Sequence, residues 1–191
     1  MINNEFEIHD KKLIHYKGSA VRVTIPSNII EIGYKAFFNA RNLEYVFIPD
    51  SVKSIGDWAF SECINLKSVK IPNGITAISK CAFYNCKKLT DVQISENVVI
   101  ISNCAFCNCN NLQRIVIPAN VAVIDNCAFA GCESLSKIII LNNNIAIRYW
   151  AFGDCHDMSI EAPAGFKIDE IKKVTENHVN ITYLNNHSIQ Y

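Results

Sequence analysis

The dipeptide Ala-Phe recurs six times at a constant interval of 23 residues, at 36/37, 59/60, 82/83, 105/106, 128/129 and 151/152. Four residues before each alanine stands an isoleucine: Ile32, Ile55, Ile78, Ile101, Ile124 and Ile147. Other columns keep the same phase. Leu43, Leu66, Leu89, Leu112 and Leu135 form one, continued by Met158. Val23, Val46, Val69, Val92, Ile115 and Ile138 form a second, and Ile25, Ile48, Ile71, Ile94, Ile117 and Ile140 a third. Pro26, Pro49, Pro72 and Pro118 follow the third, with Ser95 and Leu141 as exceptions. A fixed period of this length restricts the chain to a stack of similar units, each of which buries its apolar face only against its neighbours.

Within a unit, Leu-x-x-Val-x-Ile ends in a period-2 alternation, which predicts a short strand with one buried face. The proline that follows lacks a ladder donor and ends the strand. The next stretch spaces its apolar residues by three to five, which predicts a tight return leg, partly 3₁₀ or short helical. Asn39, Asn85, Asn108, Gly131 and Asp154 lie two positions after a phenylalanine and are turn residues. Stacking sets the strands about 4.8 Å apart in a parallel sheet on one face.

Residues 66–86 carry the whole pattern, Leu-x-x-Val-x-Ile-Pro-x-x-Val-x-x-Ile-x-x-x-Ala-Phe-x-x-Cys, with Ile75 for its second valine. The pattern resembles the BspA-like leucine-rich repeats, and the resemblance covers residues 19–163. What it implies is a leucine-rich-repeat solenoid that binds ligands, often in adhesion at a cell surface, with no catalytic residues to transfer. The ends depart from the repeat. Residues 1–18 read as an N-terminal β-hairpin cap turning at Asp10, Lys11 and Lys12. Residues 164–191 read as a C-terminal α/β cap and tail, helical over 166–176 with a last strand at Val179–Leu184.

Lys+Arg and Asp+Glu both number 18, for a net charge of zero, which argues against a general binder of nucleic-acid phosphates or of anionic membranes. No apolar run reaches the roughly 18 residues of a spanning helix, so no membrane insertion is expected. The N-terminus lacks the basic and apolar regions of a secretory signal. Localisation stays open, the resemblance pointing to the surface and the missing signal and many thiols pointing inside.

Nine cysteines invite a metal or disulfide reading. Five of them, Cys63, Cys86, Cys109, Cys132 and Cys155, share a column three residues after phenylalanine. Cys81, Cys104 and Cys127 share another, just before alanine, whose remaining occupants include Trp58 and Trp150. Both columns read as small apolar residues packed in the interior, and the tryptophans as packing near the ends of the array. Cys104-x-x-Cys107-x-Cys109 lacks a partner motif for four zinc ligands. No metal, cofactor or catalytic residue is expected. His156 follows Cys155, but sequence neighbours rarely face each other, and it reads as a solvated turn histidine.

The two residues flanking the strand valine face outward. One outward column is Arg22, Tyr45, Ser68, Asp91, Arg114 and Lys137; the other is Thr24, Phe47, Lys70, Gln93, Val116 and Ile139. The inward columns hardly vary, while these change at almost every step, as a fixed scaffold with a variable display surface requires. Arg22, Tyr45, Phe47, Lys70, Asp91, Gln93, Arg114, Val116, Lys137 and Ile139 are therefore the candidate ligand-binding set. Tyr45 and Phe47 are expected as exposed aromatics on adjacent coils with basic neighbours, and Val116 and Ile139 as an apolar extension. The sequence thus points to a non-enzymatic module that binds a protein or peptide. The alternative is a structural or self-assembling repeat without a discrete site.

Overall fold

The computed structural model describes residues 5–166 and 179–184. The chain opens with a hairpin of β1 (Phe6–His9) and β2 (Lys12–Tyr16), antiparallel about the left-handed turn residues Asp10 and Lys11. Six coils follow, each with two short strands. They hold β3 (Arg22–Thr24) and β4 (Glu31–Ile32), β5 (Tyr45–Phe47) and β6 (Ser54–Ile55), and β7 (Ser68–Lys70) and β8 (Ala77–Ile78). Next come β9 (Asp91–Gln93) and β10 (Ile100–Ile101), β11 (Arg114–Ile117) and β12 (Val123–Ile124), and β13 (Lys137–Ile140) and β14 (Ala146–Ile147). The last two strands are β15 (Met158–Pro163) and β16 (Val179–Leu184).

The coils stack as a solenoid with two parallel ladders. The Val-x-Ile strands form the strand face, in two sheets of order β3-β5-β7-β9 and β11-β13-β15-β16. The isoleucines four residues before alanine form a second ladder, of two-residue strands, ordered β1-β2-β4-β6 and β8-β10-β12-β14. Within the sheets the register places repeat positions side by side, Arg22 against Tyr45 and Lys137 against Arg114. Such a register follows from the period: any slip would carry a buried isoleucine to the surface.

The third side of each coil is tight, as expected from the spacing, but differs from the partly 3₁₀ or short helical leg that the spacing predicts. Among the described residues it contains no helix. Two residues per leg take the left-handed conformation, for example Lys35 (φ 55) and Asn39 (φ 61) in the first coil. A helix cannot propagate through them. Instead alternate amides serve different partners. Ala36, Phe38 and Ala40 N–H donate three residues back, to the Gly33, Lys35 and Phe37 carbonyls, closing turns. Phe37 and Asn39 N–H donate to the Ala59 and Ser61 carbonyls of the next coil, at 2.7 and 2.9 Å. The leg is a run of turns that also forms a ladder. The expected turn positions Asn85, Asn108, Gly131 and Asp154 are all left-handed, as is Glu62. At Gly131 an added Cβ would collide with Asn108 Oδ1.

The core is a set of straight columns along the solenoid axis. Phe37, Phe60, Phe83, Phe106, Phe129 and Phe152 stack ring on ring, with centroids 4.8–5.5 Å apart and planes within 13°. Tyr16 of the hairpin begins this stack, 5.0 Å from Phe37. Its hydroxyl accepts the Ala20 N–H at 3.0 Å, and burial pushes the phenol up from its usual range. At the other end β16 lies parallel to β15, in the place read as a final strand. Of the helix read over 166–176, only Phe166 lies within the described residues; it is buried.

Candidate functional site

The strand face carries the outward columns as the alternation requires. The middle residues Val23, Val69, Val92, Ile115 and Ile138 are buried, and none of their outward neighbours is. Tyr45 and Phe47 do not sit on adjacent coils: both belong to β5, two residues apart on one strand. Phe47 is 62% exposed, but Tyr45 is only partly so. The Arg22 guanidinium covers the Tyr45 ring at 4.0 Å, and Lys67 Nζ approaches it at 5.6 Å while pairing with Glu44 at 2.7 Å. Val116 and Ile139 stand side by side in register and are half-buried. Lys137 pairs with Glu161 of β15 at 2.6 Å. Lys70 and Gln93 are exposed neighbours in register. The set therefore lies on one face, in parallel rows.

That face is not uniform. Among the described residues, β9 and β11 are successive in the stack but not hydrogen-bonded to each other. A cleft of about 350 Å³ opens between them, lined by Asp91, Gln93, Ile94, Arg114, Val116 and Pro118 among others. Ile94 is half-exposed, whereas Ile25, Ile48, Ile71, Ile117 and Ile140 in the same column are buried. This coil also has Ser95 in the proline position, its hydroxyl bonded to Asn73 and to the Asn97 amide. Sequence reading noted the exception at Ser95 but had no reason to connect it with a missing rung.

The cysteines divide into two environments. The column of Cys63, Cys86, Cys109, Cys132 and Cys155 is wholly buried, and each Sγ donates to the phenylalanine carbonyl of the preceding coil at 3.1–3.3 Å. Burial pushes the Cys63 thiol up to about 12 and raises the other four likewise. The second column is buried at Cys81 but not along its length. Cys81, Cys104 and Cys127 are left-handed residues of the turn leg, and Cys104 and Cys127 are half-exposed, as is Cys107. Since Cys109 belongs to the buried column, the run from Cys104 to Cys109 does not converge. Among the described residues, no three of His, Cys, Asp and Glu are placed to share a metal ion. Cys155 directs its sulfur inward while His156 is exposed. No helix of the described residues is long and apolar enough to cross a membrane.

A feature missed in the sequence lies on the turn leg. Tyr34, Phe38 and Trp58 surround Lys35 Nζ at 5.2, 5.0 and 5.9 Å from their ring centres, and Trp58 meets Tyr84 at 5.7 Å. Trp58 and Trp150 are left-handed, an uncommon state for so bulky a residue. The Trp150 indole lies over Gly153, where a Cβ would come within 2.5 Å of it. The two tryptophans are half-buried on the turn leg. Their separate positions in the sequence gave no sign of this.

Comparison with known proteins bears on the architecture. A model of the BspA type leucine rich repeat region matches with six copies, over residues 9–132 and 99–189. A leucine rich repeat protein of T. pallidum superposes with a TM-score of 0.71 and 21% identity, over 95% of this chain and 99% of that one. A leucine-rich repeat protein from Eubacterium ventriosum gives a TM-score of 0.71 and 20% identity, over 98% of this chain and 55% of that one. One from Bacteroides ovatus gives 0.58 and 23%, over 90% and 56%. The chain thus spans nearly all of the first protein and just over half of the other two. No curated protein matches the sequence.

Proposed function

Because this chain belongs to the BspA-type leucine-rich-repeat family, whose repeats generally act as protein-interaction modules, we propose that it is a non-enzymatic module that binds a protein or peptide along its strand face. One observation carries this reading. The buried columns repeat almost unchanged from coil to coil, while the outward columns change residue type at nearly every step. Stability needs only the first of these properties. A surface that varies on a rigid, regular support is what selective recognition of an irregular partner uses. A role in adhesion is the extension that the family resemblance adds.

The aromatic end of the face supplies the natural anchors. Phe47 is largely exposed, and Tyr45 is held in place by two cations before any ligand arrives. Preorganised aromatic and arginine side chains carry a large share of binding energy at interfaces. The Tyr45→Ala, Phe47→Ala double variant is expected to weaken a bound partner by at least about tenfold, on the order of 1.4 kcal/mol. Its thermal midpoint should move by no more than a few degrees. Calorimetric titration beside a melting curve checks both. Unchanged affinity would remove β5 from the site. A structural, self-assembling role would show instead as concentration-dependent sedimentation, to which the exposed turn-leg aromatics Tyr34 and Phe38 would contribute.

A further inference from the structure

Some acids and bases on successive coils of this solenoid pair across the coil step. Glu44 meets Lys67 at 2.7 Å and Asp125 meets Arg148 at 3.5 Å, each pair 23 residues apart, and Lys137 reaches diagonally to Glu161 at 2.6 Å, whereas Asp57 receives only the backbone N–H of Lys80. Asp91 and Arg114 hold the same relation. They are 23 residues apart and occupy one outward column on successive coils, both exposed. Among the described residues they form no ion pair with each other or with any other side chain. They stand on opposite walls of the opening between β9 and β11, where the ladder is interrupted. Below them the opening reaches the half-exposed Ile94, with Val116 and Pro118 on the far wall.

The site thus offers a carboxylate, a guanidinium about one widened coil step away, and an apolar floor beside them. A coil step is about 4.8 Å, and alternate residues of an extended peptide lie about 7 Å apart on the same side. The cleft is open along the face, so it would cover little of a free small molecule, whose sites are normally enclosing. A peptide also gains from the neighbouring Lys70 and Ile139 on the same rows.

We propose that the β9–β11 opening is a second, charge-reading subsite of the strand face, beside the aromatic end, crossed by an extended peptide that sets a basic side chain on Asp91 and, two residues away, an acidic side chain on Arg114. An apolar residue next to the acidic one then rests over Val116 and Ile94. This inference rests on the strand-face reading above and specifies the charge pattern of its ligand.

The test uses the full chain and a capped peptide, Lys-Ala-Glu-Leu-Val, with two neutral analogues carrying glutamine for the lysine or for the glutamate. Amide chemical shifts are followed on titration. Saturable shifts confined to residues 90–96 and 113–118 are expected. Asp91→Asn should weaken the parent peptide roughly two- to fivefold, the range for solvent-exposed charge pairs, and leave the lysine-free analogue unaffected. Arg114→Gln should do the same for the parent and spare the glutamate-free analogue. Both side chains are exposed, and an otherwise unchanged spectrum verifies the fold of each variant. Equal effects on parent and analogues, or no saturable shift, would overturn the proposal. Shifts gathered around Tyr45 and Phe47 would overturn it too, while leaving the strand face as the binding surface. Shifts confined to the turn leg would overturn both readings.

Discussion

At the scale of single residues, the buried sulfur column shows how a repeat position can combine packing with weak polar bonding. A thiol at Cys63 fills a gap between coils and donates to the Phe37 carbonyl, which also accepts the Ala40 N–H. Alanine would leave a void, and serine would bury a stronger polar group. The same burial creates a pH dependence. In the folded chain the Cys63 thiol is pushed up to about 12, from the ordinary value of 9.0 that it regains on unfolding. Between these values the unfolded state loses a proton that the folded state keeps. The stabilisation is therefore complete below about pH 9 and is lost as pH rises toward 12, by about 1.4 kcal/mol per pH unit for each such thiol. Urea unfolding midpoints measured from about pH 8 to 10.5 should fall steeply, and less steeply in Cys63→Ala. A flat profile would mean that these sulfurs are not buried as protonated thiols.

At the scale of elements, legibility followed column length. The Phe83, Leu89, Val92 and Cys86 positions were readable because each has counterparts in five or six units, and a buried column tolerates few residue types. The ladder of two-residue strands was not readable, since Ala77–Ile78 has no internal period to detect. The turn leg was misread because its apolar spacing imitates a helix, while the left-handed residues that forbid one include Lys35, Trp58 and Cys104, types with no preference for that conformation. The cleft was invisible for a different reason: it depends on a rung that fails to form between two ordinary strands. The missing rung has a direct consequence. The Asp91 amide donates to the Lys67 carbonyl at 3.3 Å, and the Lys137 amide to the Gln113 carbonyl at 3.2 Å. The Arg114 amide makes no such bond to Thr90, the equivalent residue just before β9. Its hydrogen should exchange at least about tenfold faster than those of Asp91 and Lys137, as local opening costs less where ladder bonds are absent. Equal protection at the three positions would show that β9 and β11 are paired in solution.

At the scale of the whole molecule, the two ladders, the phenylalanine stack and the turn-leg rungs all run along one axis. Each coil therefore depends on its neighbours and leaves the strand face fixed in outline. In the proposed function that face presents a cationic and aromatic end at Arg22, Tyr45 and Phe47 and, across the opening, Asp91 and Arg114, which form no ion pair among the described residues. The display columns could be read from the sequence because alternation assigns them. Which of their residues stay unpaired could not, because pairing across coils is a matter of distance. The turn leg, with Tyr149 72% exposed, is the competing surface. Site-specific photo-crosslinking decides between the two. A benzophenone amino acid is placed at Phe47 in one chain and at Tyr149 in another, and both are irradiated with the same partner. The strand-face account predicts a covalent adduct from position 47 and none from position 149; an adduct formed only from position 149 would contradict it.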